Sequence, residues 1–423
     1  MTFAIACLTR SWLMVLGVAG CGGAAADDPA EGGRATGAEV VIAWNELGYQ
    51  IAYGEDQFLT FKGQRALAMM NLAMHDALNT IAPKYERYAY AGEPRPADAE
   101  LAAAQSAYVI LRSEYPKATA RLDSALSAQR NRTAAGAHAS ALELGSAAAQ
   151  AVLKARAGDG WDVAGTYAFE SGAGRYQTTP DWKGFVLQPG FRNARPFAIP
   201  SAAAFRPAPP PALTDGRYQS AYDEVKMYGA KGSTTRTADQ TAYAVWWMEF
   251  AEGSVSRLAR RLATERAAGL WPAARLFAHL HMAQYDALIA TWDAKFEYNH
   301  WRPITAIHSA DDGNAATTAD GTWQSLQPAP PFPEYVSAHA ADCAASFAIL
   351  AAMWGNDTRF SMSTITAPPH MPTRSFTSFR AATEECADSR VRLGWHFRYS
   401  TDAGLILGER VAAHVLQTQL RPL

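Results

Sequence analysis

Two cationic side chains, Lys295 and Arg302, lie seven positions apart in the aromatic-rich segment WDAKFEYNHWRP, residues 292–303. Seven residues are almost two α-helical turns, so on a continuous helix these side chains share one face. Pro303 disfavours helical geometry at the residue before it, and we therefore predict that the helix ends at about Arg302. A planar guanidinium and a compact ammonium directed at one point suit a tetrahedral oxyanion. For such a pair considered alone, two solvated cations on a surface helix are the alternative.

A histidine follows a proline-rich loop in the segment PFPEYVSAH, residues 331–339. Ser337 can cap the helix that begins there, and the first backbone N–H groups of a helix form an anion site. His339, in the first turn, is placed to act as a general acid or base. A capped helix with an incidental histidine is the alternative interpretation of this segment.

A third group of chemically capable residues lies in SRVRLGWH, residues 389–396. Arg390 and His396 are six positions apart, which puts them about 120° out of phase on a continuous helix. They converge only if Gly394 breaks the helix between them. A solvated arginine and a histidine of the core are the alternative.

Taken in order, the three segments resemble the signature of the superfamily of vanadium-dependent haloperoxidases and type 2 phosphatidic acid phosphatases, which reads K-x6-R-P, P-S-G-H and S-R-x5-H. Residues 67–82, 97–111 and 301–314 look like the bacterial haloperoxidase-like branch of that superfamily. Val336 and Ala338 depart from the signature, because they stand where the superfamily has proline and glycine. That glycine contributes a backbone N–H to the oxyanion, and Ala338 can do the same if its φ is negative.

The resemblance implies a site for vanadate as cofactor, or for a phosphoryl group. His396 would be the axial ligand of the vanadium, or the nucleophile towards a phosphoryl group, and His339 would handle the proton of the apical oxygen. Trp292 and Phe332 would form the halide pocket; chloroperoxidases of the superfamily tend to carry these two residue types there. The oxyanion itself would be bound by Lys295, Arg302, Ser337, Ala338, Arg390 and His396.

Two activities of the superfamily use one kind of pocket, because five-coordinate vanadate has the shape of a phosphoryl-transfer transition state. The resemblance favours a vanadium-dependent haloperoxidase that oxidises halide with hydrogen peroxide to hypohalous acid. In that reaction Lys295 would polarise the bound peroxide. The alternatives are an acid phosphatase that hydrolyses a phosphomonoester through a phosphohistidine, and an inactive oxyanion-binding relative.

A carboxylate is expected beside the arginines, since an arginine cluster without one repels itself. We predict that Glu249 or Glu252, in the segment 246–253, orients one of the site arginines. A surface glutamate is the alternative for either residue.

Helices must position these groups, and the sequence predicts an all-α fold. Ala- and Leu-rich segments with helical periodicity favour helices, and no convincing alternating strand is present. We predict two helical bundles packed as one compact unit, which the resemblance makes haloperoxidase-like. The N-terminal half is 39–215 with an irregular crossover at 158–216, and the C-terminal half, 216–423, carries the oxyanion site. Residues 40–53 are interpreted as a short segment packed on the body. Helices are predicted over residues 64–82, 97–111, 118–130, 140–157, 219–228, 238–250, 255–267, 273–300, 338–354, 379–387 and 401–419.

The first 38 residues are interpreted as a targeting segment rather than as part of the fold. Arg10 precedes a short apolar stretch that ends in VAGC, and Cys21 resembles the acylated cysteine of a bacterial lipobox. We predict a signal peptide with a lipobox-like cleavage site at 1–21 and a flexible tether at 22–38. The protein is then exported, periplasmic or at the cell surface, with a lipid anchor at Cys21. An ordinary signal peptide and a buried apolar helix are the alternatives.

Composition argues against two classes of partner. The 423 residues carry a net charge of −2 and the pI is about 6.6, so the chain lacks the electrostatic footprint of a protein that binds nucleic acid or an anionic membrane. Membrane contact is expected only through the lipid anchor.

Two cysteines remain outside the leader and the lipobox, Cys343 and Cys386. They form an even pair in an oxidising compartment, and we predict a disulfide between them. Cys343 lies four residues after His339 and Cys386 four before Arg390, so a converged site would bring both helices close. Two buried free thiols are the alternative.

Overall fold

Helices form most of the chain because its long Ala- and Leu-rich segments combine high helix propensity with an apolar face. The computed structural model describes residues 37–58, 60–309 and 312–423. In these residues the helices are α1 (Glu39–Asp56), α2 (Lys62–Ile81), α3 (Ala99–Glu114), α4 (Thr119–Arg132), α5 (His138–Ala155), α6 (Gly216–Tyr228), α7 (Ala238–Trp246), α8 (Ala251–Glu265), α9 (Leu270–Tyr298), α10 (Pro303–His308), α11 (Ala338–Trp354), α12 (Phe379–Arg392) and α13 (Arg398–Thr418).

Helix α9 joins two groups of packed helices. On one side it packs against α2, which packs against α3 and α5; on the other it packs against α11 and α13, with α12 beside them. Small residues allow close approach in both groups. A Cβ on Gly145 would lie 2.4 Å from the carbonyl oxygen of Ala102, and one on Gly408 would lie 2.1 Å from that of Ala341. The predicted all-α fold is confirmed; the proposed boundaries of its halves stay a prediction.

The irregular crossover is tied to α9 by a buried carboxylate. The sequence A-x-x-D-A-L occurs around Asp286 in α9 and also around Asp76 in α2. Asp286 accepts the backbone N–H groups of residues 197–199 at 2.6 to 2.9 Å. Asp76 accepts those of residues 88–90 at 2.7 to 2.8 Å. Each of the helices α2 and α9 therefore binds a non-helical segment through its aspartate. In α9 that segment is part of the irregular crossover.

Residues 40–53, predicted as a short segment packed on the body, do pack on it, and they form helix α1, whose apolar side is buried against α2 and α3. Two other local features differ from the predictions. The helix predicted over 238–250 ends at Trp246, and the next begins at Ala251. A small antiparallel hairpin, β1 (Phe360–Ser363) and β2 (Thr373–Phe376), was not foreseen. Its paired rings, Phe360 and Phe376, are buried in the core, so tertiary packing stabilises strands that have little alternation of their own.

The predicted leader, residues 1–21, and most of the predicted tether, 22–38, lie outside the described residues. Among the residues that the structure does describe, no helix has the length and apolar character needed to cross a bilayer.

Candidate active site

The two cations of the first segment reach one aromatic ring from different elements. Helix α9 ends before Asn299, whose φ of 51° is left-handed, and Arg302 is extended with φ −79° and ψ 155°. The prediction of one continuous helix face is therefore wrong, because an asparagine tolerates this conformation and terminates the helix early. The prediction that Arg302 is not helical is confirmed. The Lys295 Nζ lies 5.0 Å and the Arg302 Cζ 4.8 Å from the centroid of Phe332.

Lys295 holds the loop that precedes α11. Its Nζ donates to the carbonyl oxygens of Pro333 at 3.1 Å, Glu334 at 3.0 Å and Val336 at 2.6 Å. An ammonium has three donors, so in this conformation all of them are directed at the loop. Complete burial, and then the charge of Arg302, lower the pKa of Lys295 well below its usual value.

Arg302 is buried and only partly satisfied. Its Nε donates to the carbonyl oxygen of Phe332 at 2.9 Å, and Nη1 donates to that of Trp395 at 2.9 Å and to Nε2 of His396 at 3.2 Å. Nη2 is buried without a hydrogen-bond partner. Burial lowers the pKa of Arg302 to about 10, so the guanidinium stays charged at neutral pH. A buried, charged and unpartnered donor is a feature expected of an anion site.

A glycine turn brings His396 back to Arg302. Helix α12 ends at Arg392, and Gly394 has a φ of +79°. A Cβ there would lie 2.7 Å from the carbonyl oxygen of Gly229, so both the conformation and the space require glycine. The chain then turns into α13, and His396 lies in the connection. The prediction that Gly394 breaks the helix is confirmed.

Glu334 is a residue of this site that the sequence predictions missed. Its Oε1 lies 2.7 Å from Nδ1 of His396 and accepts the backbone N–H of Phe397 at 3.0 Å. Burial raises the pKa of Glu334 to about 7, against the opposing charges of Arg302 and Lys295. The signal was present in the sequence, because Glu334 is the acidic residue inside the PFPEYVSAH segment itself.

The prediction that Glu249 or Glu252 orients a site arginine is wrong. Glu249 pairs with Arg257 at 2.6 Å and Glu252 accepts from Gln64 at 2.6 Å. The break between α7 and α8 turns both carboxylates towards other partners. A buried carboxylate was expected for a sound electrostatic reason, but Glu334 supplies it.

The helix start at Ser337 has the predicted geometry. The Ser337 Oγ caps α11 by accepting the backbone N–H of Ala340 at 3.4 Å. Ala338 is the first helical residue and is not among the residues with positive φ. Its Cβ is therefore compatible with the backbone here, and its N–H belongs to the first turn, whose donors have no intrahelical acceptor.

His339 and Arg390 meet at one backbone carbonyl. Arg390 donates from Nη2 to the carbonyl oxygen of Trp247 at 2.7 Å, and the His339 ring also bonds that carbonyl. The Nε2 of His339 is buried without a partner. Burial, and then the charge of Arg390, lower the pKa of His339 well below its usual value, so the ring is neutral and can accept a proton. Burial lowers the pKa of Arg390 to about 9.

The predicted disulfide between Cys343 and Cys386 is confirmed. It joins α11, one turn after His339, to α12, one turn before Arg390, with 6.6 Å between the two Cα atoms. A ring nitrogen of His339 and the two sulfur atoms all lie within 4.8 Å of one another. The bond therefore ties together the two helices that carry these site residues.

The two halide-pocket candidates are neighbours. The rings of Trp292 and Phe332 lie 5.0 Å apart, and Phe332 also faces Lys295 and Arg302. Trp292 is buried and its Nε1 has no hydrogen-bond partner. An indole N–H next to a positive field is a chemically suitable contact for a halide.

The chemistry of the residues present suits an oxyanion such as vanadate. Three basic side chains, Lys295, Arg302 and Arg390, are at most 1% exposed, and the buried carboxylate of Glu334 interacts electrostatically with the first two. Burial, and then the charges of Arg302, Lys295 and Arg390, lower the pKa of His396 well below its usual value. Excess buried positive charge and an unpartnered guanidinium N–H call for an anion. The binding roles of the individual residues remain predictions.

Comparison with known proteins finds similarity to vanadium haloperoxidases. Residues 275–423 match the family model of the VCPO second helical-bundle domain. The chain is 31% identical over 167 residues to the vanadium chloroperoxidase of Curvularia inaequalis, an alignment that covers 31% of this chain and only 27% of that protein. These two findings support the resemblance to the vanadium haloperoxidase superfamily that the three motifs carry.

Solved structures share the fold. A bacterial vanadium-dependent iodoperoxidase superposes with a TM-score of 0.77 at 23% identity, covering 93% of this chain and 99% of that one. The apo form of a bacterial vanadium-dependent chloroperoxidase superposes with a TM-score of 0.68 at 18% identity, covering 84% and 93%. At these identities the likeness concerns the fold and leaves the activity to be argued from the site.

Proposed function

We propose that this chain is a vanadium-dependent haloperoxidase that oxidises halide with hydrogen peroxide to hypohalous acid. The observation that carries the proposal is the buried group of three cations around a histidine whose Nε2 accepts from Arg302. The superfamily supports vanadate as the cofactor. When bound, vanadate would supply a Lewis-acidic centre that activates peroxide.

Each site residue would have a role that follows from its chemistry. His396 would hold the vanadium through Nε2, and Arg302 and Arg390 would neutralise the oxygens. Ser337 and the backbone N–H of Ala338 would donate hydrogen bonds to the same oxygens. Neutral His339 would accept or return the proton of the apical oxygen through its unpartnered Nε2.

Lys295 would act mainly through its position and charge. All three of its donors hold the loop 333–336, so direct polarisation of peroxide requires it to release one carbonyl oxygen. Trp292 and Phe332 would receive the halide, since the unpartnered indole N–H and the two cations on the Phe332 face provide a positive potential.

A phosphatase is the second candidate, and one observation favours it. With Glu334 on Nδ1 of His396, the lone pair lies on Nε2, beside Arg302, where it could attack phosphorus once that contact opens. In that reaction Nε2 would bond the phosphorus of a phosphomonoester while the bond to the alcohol oxygen breaks. Water would then release phosphate from the histidine.

One assay separates the candidates. The protein is tested for halogenation of a phenolic dye with orthovanadate, hydrogen peroxide and chloride, bromide or iodide, and separately for hydrolysis of p-nitrophenyl phosphate without vanadate. We expect halogenation that requires vanadate. His396→Ala should abolish it, and His414→Ala, a partly buried histidine that hydrogen-bonds the carbonyl oxygen of Ala198, should retain it. Hydrolysis without halogenation would establish the phosphatase, and neither activity would indicate an oxyanion-binding relative.

We also propose that the protein is exported to the periplasm or cell surface and lipid-anchored at Cys21. The Cys343–Cys386 bond supports export, because disulfides persist in oxidising compartments. Membrane fractionation of cells that express the chain and its Cys21→Ser variant tests this. Equal release of both proteins into the soluble fraction would argue against the anchor.

A further inference from the structure

His396 makes hydrogen bonds of opposite sense at its two ring nitrogens. Arg302 Nη1 lies 3.2 Å from Nε2, and a guanidinium can only donate. The Nε2 atom must therefore accept, and the single proton of the neutral ring resides on Nδ1. From there it is donated to Oε1 of Glu334 at 2.7 Å. Both contacts favour the Nδ1–H tautomer of His396, and the contact with the Glu334 carboxylate is the shorter of the two; the Oγ of Ser400 lies farther from Nδ1, at 3.4 Å.

Glu334 is itself held in place from several sides. Its Oε1 also accepts the backbone N–H of Phe397, the residue after His396, at 3.0 Å. Its backbone N–H donates to the carbonyl oxygen of His300 at 2.9 Å, and its carbonyl oxygen accepts from Lys295 at 3.0 Å. Because Glu334 is completely buried, its carboxylate has no solvent to turn towards. One oxygen atom therefore fixes both the imidazole ring and the backbone that carries it.

We propose that Glu334 is the positioning residue of this site. It holds His396 as the Nδ1–H tautomer and directs the lone pair of Nε2 to the oxyanion beside Arg302, and its ionised form makes that nitrogen a stronger donor. Partners of this kind on the outer nitrogen of a ligating histidine set its tautomer and raise its basicity. The inference rests on the proposed function for the identity of the oxyanion, but the tautomer does not depend on it.

Two substitutions distinguish the role of Glu334 as a hydrogen-bond acceptor from the role of its charge. Glu334→Gln retains an oxygen that can accept from Nδ1 and from the Phe397 N–H but removes the charge, whereas Glu334→Leu removes both. Glu249→Gln is the matched control, because Glu249 is a buried carboxylate that binds Arg257 and does not touch His396. Thermal unfolding of each variant shows which of them are folded.

The first measurement uses the protein without vanadate. Two-bond proton–nitrogen NMR correlations of the chain labelled with ¹⁵N-histidine report the tautomer, and the His396→Ala variant identifies the signal of His396. We expect the Nδ1–H tautomer in the natural chain and in Glu334→Gln, and a mixture of tautomers in Glu334→Leu. An Nε2–H ring in the natural chain, or an unchanged tautomer in Glu334→Leu, would overturn the proposal.

The second measurement is the dissociation constant of orthovanadate, obtained by calorimetry. Loss of such a histidine partner typically weakens metal binding by about 10–100-fold; we expect a loss of this order in Glu334→Leu, a smaller loss in Glu334→Gln and no change in Glu249→Gln. If Glu334→Leu does not fold, Glu334→Gln decides, and undiminished affinity there contradicts the role of the charge. If the natural chain binds no orthovanadate, the proposed function fails while the NMR result still decides the role of Glu334.

Discussion

The Cys343–Cys386 bond gives the most quantitative prediction, because it stabilises the fold and the site at once. We consider the double variant Cys343→Ala, Cys386→Ala, in which two buried sulfur atoms are removed. The cross-link spans 43 residues, for which the chain-entropy relation gives about 4 kcal/mol at 25 °C. That is a substantial fraction of the stability of a typical domain, which is about 5–15 kcal/mol.

The assay is guanidinium unfolding at equilibrium, with and without a thiol reductant. The natural chain should have a lower midpoint in reductant, because the bond is lost once unfolding exposes it. The double variant should have the same low midpoint in both conditions, which separates the bond from the volume of the side chains. If reductant does not move the midpoint of the natural chain, the bond contributes no stability and the reasoning is refuted.

A second readout concerns the site. The bond joins the helix of His339 to the helix of Arg390. Its loss should therefore make the distance between these two side chains more variable. We expect the double variant, when folded, to bind orthovanadate more weakly than the natural chain. Unchanged affinity would show that helix packing alone positions His339 and Arg390.

Three further predictions concern single residues. His396→Ala should abolish orthovanadate binding measured by calorimetry, whereas His339→Ala should keep binding and slow turnover by about 10²–10⁴-fold; equal loss of binding would reverse the roles. Gly394→Ala should lower the free energy of unfolding more than Gly313→Ala, since both have positive φ but a Cβ meets backbone only at Gly394; equal losses in urea unfolding would count against this. Burial raises the pKa of Asp342 well above its usual value, so the folded chain retains a proton that the unfolded chain releases and stability falls as pH rises above the unfolded pKa. Asp342→Asn should flatten that fall in thermal unfolding measured upward from the unfolded pKa, and an unchanged slope would contradict it.

The fold class was predictable because helix formation depends on local sequence. Helices predicted at 64–82 and 338–354 appear as Lys62–Ile81 and Ala338–Trp354, since propensity and periodicity agree there. The hairpin of β1 and β2 was not predictable in this way. Its strands are short, and they are stabilised by contacts of Phe360 with Phe376 and with Phe379, which follows them in the chain.

The sequence by itself determined which chemical groups the site contains and where the chain must turn. Gly394 can break its helix because glycine readily adopts the positive φ found there, and Pro303 keeps Arg302 extended. These are local constraints of single residues, so they can be read from order and spacing.

Only the tertiary structure decided how the groups are partnered. Glu334 reaches His396 across 62 positions and Arg302 reaches it across 94, while Glu249, which looked equally suitable, is bound by Arg257. Lys295 uses its donors on a loop about 40 residues away, as hydrogen bonds in a buried site require. The physical reason is that a buried charge is stable only with a partner nearby in space, because burial removes its hydration. Separation along the chain does not limit which residue that partner is.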